Sequence, residues 1–85
     1  MSKIFVTSAK RTAVGSLGKS LKNISAEELG SAVISENLKN LKILKDDVDE
    51  IILGQVLTGG SGQNPARQAA IKSGIPKEKP AYLVN

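Results

Sequence analysis

A glycine-rich loop that leads into a helix of small residues constrains the fold of this chain more than any other stretch. The glycines within residues 59–62 permit backbone angles that other residues reach only with strain. Asn64 followed by Pro65 predicts an N-cap and the first helical position. The small residues on one side of the helix are Ala66, Ala69 and Ala70. Because the sequence of residues 73–76 is typical of a helix end, the stretch predicts a thin, close-packed helix over residues 65–73.

Two functions are open for the loop that precedes this helix. Amide groups at a helix start, with Arg67 in the first turn, could hold an anion such as a phosphate or a carboxylate. Alternatively, the loop only turns the chain. The named phosphate-binding motifs do not fit. A P-loop requires Lys and then Ser or Thr where Gln63 and Asn64 stand, and the dinucleotide fingerprint requires a glycine in place of Pro65.

Hydrophobic patterning predicts three strands and two helices. The elements in chain order are a strand at 4–6, a helix at 26–41, a strand at 50–57, the helix at 65–73 and a strand at 81–85. Ser25 predicts the start of the first helix, with Glu28 as its capping-box partner. A polar turn over 44–50, with Asp46 as its cap, precedes the central strand. This order predicts an α/β fold with a parallel β-α-β-α-β sheet.

The helix at 26–41 is predicted to pack on the sheet with its other side in water. At 100° per residue, its apolar half contains Ala26, Leu29, Gly30, Val33, Ile34, Leu38 and Leu41, and its polar half contains Glu28, Ser31, Ser35, Lys39 and Lys42. The acids Glu27, Glu28 and Glu36 are well separated, and the chain has no histidine. We expect these acids to be surface and helix-dipole charges, not acid–base catalysts.

Few other residues suggest a chemical role. Lys10 and Arg11 follow the first strand and could meet a phosphate or an acidic partner, or could be rim charges in a salt bridge. The acids within 46–50 lack the spacing of an EF-hand calcium loop. Because there is no cysteine, disulfides and thiolate chemistry are excluded for these residues. No catalytic, cofactor-binding or metal-binding residue is therefore assigned.

Composition argues against nucleic-acid and membrane partners. The net charge of +4 comes from lysines that are scattered along the chain, and only Phe5 and Tyr82 are aromatic, which leaves little for base stacking. Apolar runs such as 51–53 are far shorter than the roughly 20 residues that span a bilayer. A soluble cytoplasmic protein is expected.

The predicted sheet has a face without cover. Right-handed crossovers between sequential parallel strands place both helices on the same side of a sheet. Parallel sheets require cover on both faces, and soluble monomers rarely expose apolar patches larger than a few hundred Å². We therefore expect residues 1–85 to be an incomplete part of one domain, with no second domain, whose missing layer is supplied from elsewhere.

Three motifs resemble the thiolase family. Residues 8–15, Ser-Ala-Lys-Arg-Thr-Ala-Val-Gly, resemble the S-A-x-R-T-[PA]-[IV]-G stretch near the start of thiolases. Residues 48–54 resemble V-D-E-V-I-x-G, and residues 62–70 resemble G-Q-N-P-A-R-Q-A-A almost letter for letter. The last motif is highly specific. The resemblance runs in order from Ile4 to Asn85, is strongest to the acetyl-CoA acetyltransferase branch, and covers only about the first fifth of a thiolase.

The resemblance implies an activity, a fold and partners. Thiolases are acyltransferases of fatty acid metabolism, and this branch makes or cleaves acetoacetyl-CoA from acetyl-CoA through a cysteine acyl-thioester. The nucleophilic cysteine follows the segment that matches residues 82–85, and the other catalytic groups and main coenzyme A contacts lie further along. Coenzyme A thioester is the substrate, and no cofactor is bound by residues 1–85. The implied fold is the N-terminal half of a five-layered αβαβα enzyme, a homodimer or homotetramer, with residues 82–84 and the loop before Pro65 as candidate interface elements.

Three interpretations remain open at this point. In the first, the chain is the N-terminal segment of a thiolase, supplies scaffold and dimer contacts, has the remainder of the thiolase as its partner, and is inactive alone. In the second, it is a small α/β module that binds an anion or a protein at the loop between Gly59 and Arg67. In the third, it is a structural subunit that completes a separate polypeptide carrying the cysteine.

Overall fold

The architecture is a pair of helices on one side of a short parallel sheet. The computed structural model describes residues 3–42 and 44–85. In chain order it contains helix α1 (Ala26–Leu41), a 3-10 helix (Lys45–Asp47), strand β1 (Ile51–Gly54), helix α2 (Pro65–Lys72) and strand β2 (Ala81–Val84).

Helix α1 begins and ends where the sequence predicts. The Ser25 hydroxyl accepts a hydrogen bond from the Glu28 amide at 3.3 Å, which satisfies one of the free donors of the first turn. The helix ends at Leu41, and its C-cap residue Lys42 has a φ of 56°, in the left-handed region, with its amide donating to the carbonyls of Leu38 and Lys39. Glycine is the usual residue at such an end, so Lys42 adopts this conformation with some strain.

Strands β1 and β2 pair in parallel. Ile51 lies opposite Ala81 and Gly54 lies opposite Val84, so the register is regular over all four positions. The ladder continues beyond the sheet, because the Gln55 amide donates to the Val84 carbonyl at 2.9 Å. The prediction of a strand at 81–85 is confirmed through Val84. The predicted strand at 50–57 is too long by one residue at its start and three at its end.

The prediction of a strand at 4–6 is wrong. Its apolar side chains are exposed, Ile4 at 96%, Phe5 at 74% and Val6 at 87%. An isolated three-residue strand has no neighbour for its backbone groups, and within the described residues the sheet contains β1 and β2 only. The contact with α1 comes two residues later, where the Ser8 hydroxyl donates to the Asn37 side-chain oxygen at 2.6 Å. The described element order is therefore α-β-α-β.

Both helices cover one face of the sheet, as predicted. A methyl group at Gly30 of α1 would lie 3.3 Å from the Ala69 methyl group on α2 and 3.3 Å from a Leu53 methyl group on β1. The opposite face exposes apolar side chains, Ile52 at 50%, Tyr82 at 43% and Val84 at 50%. The prediction of an uncovered sheet face is thus confirmed for the described residues.

The buried core lies under α2. Its apolar members are Ala66, Ala69, Ala70 and Ile75, whereas no residue of α1 is fully buried. Two residues of α1 differ from the predicted division into an apolar and a polar half. Ala26 is exposed, and Ser31, assigned to the polar face, is half-buried against α2 because its hydroxyl lies 3.1 Å from that of Ser73.

The polar turn over 44–50 is partly helical, as predicted, but its start is not. Leu44 occupies the cap position of the 3-10 helix, and no side chain bonds there. Asp46 lies inside the helix and is not its cap. A three-residue helix has only one or two hydrogen bonds, so sequence signals for its start are weak.

Candidate functional site at the glycine loop and helix α2

Asn64 joins the start of α2 to the start of β2. Its side-chain oxygen accepts a hydrogen bond from the Arg67 amide at 3.2 Å, which confirms the predicted N-cap. Its side-chain amide donates to the Ala81 carbonyl at 3.1 Å. With φ at 42°, Asn64 lies in the left-handed region that asparagine tolerates better than most residues. One side chain therefore fixes both a helix end and a strand end.

Arg67 fastens the linker that precedes β2. Its guanidinium Nη1 donates to the Lys79 carbonyl at 3.1 Å, and the residue is half-buried. The linker makes a turn of its own, in which the Lys79 amide donates to the Pro76 carbonyl. Arg67 thus holds this turn against the first turn of α2.

Gln68 holds the glycine loop closed. Its side-chain nitrogen donates to the carbonyl of Ser61 at 2.8 Å and to that of Gln63 at 2.9 Å. Gly62 lies in the left-handed region with φ of 75°, and a Cβ there would lie 3.0 Å from the Gln68 nitrogen. A residue other than glycine at 62 would therefore be strained and would displace the side chain that closes the loop.

These bonds reduce the capacity of the loop to bind an anion. The Arg67 amide, the Gln68 amide and the Arg67 guanidinium all donate to oxygens of the chain itself. An anion site at a helix start needs several donors aimed outward. The geometry therefore favours a packing role for the region between Gly59 and Arg67 over the anion-binding interpretation.

Helix α2 ends in a Schellman motif. The Ile75 amide donates to the Ala70 carbonyl at 3.0 Å and the Gly74 amide donates to the Ile71 carbonyl at 3.0 Å, with Gly74 at φ 81°. Ile75, which follows, is 3% exposed. The helix itself ends at Lys72, so the predicted last residue, Ser73, is its cap.

A second feature is a cavity of about 300 Å³ between the N-terminal segment, α1 and β1. Its apolar lining includes Leu29, Val33 and Leu53, and its polar lining includes Thr12, Glu27 and Gln55. Glu27 is the unexpected member. Its side chain is only 13% exposed, so the prediction that it is an ordinary surface charge is wrong.

The two carboxylate oxygens of Glu27 differ in their surroundings. Oε1 lies 3.8 Å from Nζ of Lys72, a long contact for an ion pair. Oε2 is buried and has no hydrogen-bond partner among the described residues. The backbone amide of Glu27 holds the pKa of its carboxyl below the ordinary value, and Ser25 and Lys72 act in the same direction, while burial opposes them. The group is therefore a carboxylate at neutral pH.

The remaining candidates lie apart from these features. Lys10 and Arg11 are exposed, and Nη1 of Arg11 donates to the Thr12 carbonyl at 3.3 Å.

Over residues 3–42 and 44–85, no three acidic side chains are grouped closely enough to hold a metal ion. In the same ranges, no helix has the length and apolar character needed to cross a bilayer.

Two residues that join the helices could not be identified from the sequence. Ser73 is 2% exposed, and its hydroxyl donates to the Ala69 carbonyl at 2.8 Å while lying 3.2 Å from the Ser31 carbonyl. Glu27 links the same two helices through Lys72. A serine and a glutamate on helix surfaces are common, so only the close approach of α1 to α2 distinguishes these positions.

Comparison with known proteins gives matches over the whole length of the chain. The family model described as the thiolase N-terminal domain matches residues 4–85. An acetyl-CoA acetyltransferase of Cupriavidus necator is 53% identical over 85 residues, which are 100% of this chain and 22% of that protein. One of Pseudomonas aeruginosa is 55% identical, with the same coverage. The chain thus spans about a fifth of the length of these relatives.

Two further matches bear on the family. An acetyl-CoA acetyltransferase sequence of Clostridioides difficile is 51% identical, over 100% of this chain and 79% of that sequence. The crystal structure of Acat5 thiolase from Ascaris suum in complex with coenzyme A superposes with a TM-score of 0.78 at 38% identity, over 80% of this chain and 18% of that one. The chain therefore belongs to the thiolase family and matches its N-terminal domain.

Proposed function

We propose that these residues form the scaffold part of an acetyl-CoA acetyltransferase that makes or cleaves acetoacetyl-CoA. The observation that carries the proposal is the identity of 55% to an enzyme of that name over all 85 residues. The reaction would pass through a cysteine acyl-thioester. The chain has neither cysteine nor histidine, so the nucleophile and its proton acceptor would come from outside these residues.

The role of residues 1–85 in such an enzyme would be to place the strand that leads to the nucleophile. Asn64 and Arg67 donate to the carbonyls of Ala81 and Lys79, on either side of the start of β2. The catalytic geometry of an enzyme tolerates displacements of only about 0.5 Å. A strand fastened at its start by two side chains of a rigid helix would supply that precision.

The larger assembly belongs to the same proposal. The uncovered face of β1 and β2 would pack inside a five-layered αβαβα enzyme, and the chain would act in the cytoplasm as part of a homodimer or homotetramer. Coenzyme A thioester would be the substrate of the assembled enzyme, in keeping with the coenzyme A in the Ascaris suum thiolase complex. Residues 1–85 by themselves would bind no cofactor and have no thiolase activity.

A chimeric enzyme tests the proposal. Residues 1–85 of this chain replace the matching first part of the Pseudomonas aeruginosa acetyl-CoA acetyltransferase, and thiolysis of acetoacetyl-CoA is followed with coenzyme A. We expect kcat within about tenfold of the parent enzyme, because the replaced part supplies packing and no reacting group. A folded chimera of parental oligomeric state that lacks activity would contradict the proposal. So would thiolysis by residues 1–85 alone.

A further inference from the structure

The cavity beside α1 is lined by a carboxylate that the described structure satisfies only in part. Glu27 has one buried carboxylate oxygen, Oε2, without a hydrogen-bond partner among the described residues. A buried charged group without a donor is costly, and such groups are normally paired. Glu27 is one of the residues that line the cavity, whose volume of about 300 Å³ has room for a long side chain.

The elements around Glu27 offer few cations. Helix α2 provides Lys72, which contacts Oε1 at 3.8 Å. Strand β1 and the residue after it line the cavity with Leu53, Gly54 and Gln55, none of which titrates. On α1 itself, the neighbour Glu28 is an acid. The N-terminal segment is the remaining wall, and Thr12 is its lining residue.

The residue before Thr12 is an arginine with little to hold it. Arg11 is exposed, and its guanidinium makes a 3.3 Å bond to the carbonyl of the next residue. The segment around it makes one contact with α1 and one within itself. Ser8 donates to Asn37 of α1, and Gly15 packs so tightly on Leu21 that a Cβ there would lie 3.1 Å from the Leu21 Cγ.

We propose that residues 9–14 are a strap that closes the cavity, with the guanidinium of Arg11 bonded to the carboxylate of Glu27. The planar guanidinium matches the two oxygens of a carboxylate, which a lysine ammonium does not. Lys10 is one residue further from the lining residue Thr12 and is the poorer candidate for that reason as well. Because Glu27 also contacts Lys72, the closed strap joins the N-terminal segment to both helices.

The titration of Glu27 tests this contact directly. The carboxyl pKa of Glu27 is measured by carbon-13 NMR in the intact chain and in its Arg11→Gln and Lys10→Gln variants, which lose the same charge. An opposite charge within about 4–6 Å lowers a carboxyl pKa by roughly one unit or more. We therefore expect Arg11→Gln to raise the pKa of Glu27 by about one unit, with no change in Lys10→Gln. Equal values in all three proteins would overturn the proposal.

A double-mutant cycle gives a second measurement. Urea midpoints are compared for Arg11→Gln, Glu27→Gln and the variant with both changes. If the two side chains are bonded, the double variant unfolds at nearly the same urea concentration as the less stable single variant, because the bond can be lost only once. Strictly additive shifts would show that the two residues act independently and that the strap does not form.

Discussion

At the scale of single residues, three polar side chains of the motif at residues 62–70 connect α2 to other parts of the backbone. Asn64, Arg67 and Gln68 each bond to backbone carbonyls outside α2. Their targets are the start of β2, the linker before it and the glycine loop. The motif therefore couples the start of α2 to three other parts of the backbone. Its polar residues thus have a structural role.

Replacement of Asn64 should separate its two roles. Asn64→Asp keeps an oxygen that caps α2 but cannot donate to the Ala81 carbonyl, whereas Asn64→Ala loses both bonds and also the tolerance for a positive φ. Loss of an N-cap costs about 1 kcal/mol, and a left-handed conformation costs a further 1–2 kcal/mol in most residues. We expect the unfolding free energy to fall in the order Asn64, Asp, Ala in urea denaturation. Equal stability of the three proteins would contradict this assignment.

Gly74→Ala should destabilise the end of α2. The residue has φ of 81°, and its new Cβ would lie 2.6 Å from Nζ of Lys45. Lysine can move away, so the main cost is the positive φ, about 1 kcal/mol. Thermal unfolding is the measurement. Gly59→Ala is the control, because the structure shows no atom within 4 Å of a Cβ at that position and the substitution should have little effect.

Glu27 should give the chain part of its acid sensitivity. Because the pKa of Glu27 is lowered in the folded state, its stabilisation is complete above the pKa of the unfolded chain and is lost as pH falls through the folded pKa. The stability lost below about pH 4.5 should therefore be smaller in Glu27→Gln than in the unmodified chain. Urea unfolding at several pH values measures the free energy of unfolding of both proteins. Glu36→Gln, a change at an exposed acid of the same helix, is the charge-matched control.

At the scale of elements, α1 and α2 are held together by small residues rather than by a large apolar interface. Gly30 allows the close approach to Ala69, and the Ser31 and Ser73 hydroxyls lie 3.1 Å apart. No side chain of α1 is fully buried, so its position depends on these contacts and on the cap at Ser25. Helices of this kind tolerate little added volume where they meet.

Gly30→Val should therefore disrupt the packing of α1 on α2. A single methyl group at this position already lies 3.3 Å from Ala69, whose own methyl group cannot rotate away, and from Leu53. Overpacking of this kind costs about 1–3 kcal/mol. Ala32→Val is the matched control, since Ala32 is exposed on the same helix and the change adds a similar bulk to water. A loss of stability no larger in Gly30→Val than in Ala32→Val would contradict the overpacking, because helix propensity by itself favours valine over glycine and alanine over valine.

At the scale of the whole molecule, the dominant feature is a sheet with one covered and one uncovered face. The exposed side chains Ile52, Tyr82 and Val84 are between 43% and 50% accessible and lie side by side on adjacent strands. Apolar surface of this kind on a soluble protein normally marks a place where something else packs. The length of the relatives, of which this chain spans about a fifth, agrees with that expectation.

Polar substitution on this face should reduce self-association of the chain. The double variant Ile52→Ser and Val84→Ser removes apolar surface that is contiguous, while Leu17→Ser removes a single fully exposed side chain in a loop. We expect weaker binding of a hydrophobic dye and less aggregation for the double variant, measured by fluorescence and light scattering. A larger effect of Leu17→Ser would show that the uncovered sheet face is not the surface through which the chain associates.

Sequence alone determined the parts of this protein that are governed by near neighbours. The Ser25 and Asn64 caps, the bounds of α1 and the ends of α2 within one residue follow from residues within about five positions of each other, where capping and turn chemistry act. The family motifs in residues 8–15, 48–54 and 62–70 could be identified in the same way, since they are contiguous.

Only the tertiary structure decided what depends on residues far apart in the chain. Whether Ile4 to Val6 form a strand depends on an adjacent strand, and the described sheet offers them none. The burial of Glu27 and Ser73 depends on how closely α1 approaches α2, which Gly30 and Ala69 set from 39 positions apart in the numbering. A local pattern cannot encode such contacts, because a strand edge or a helix face acquires its partner only when the chain has packed.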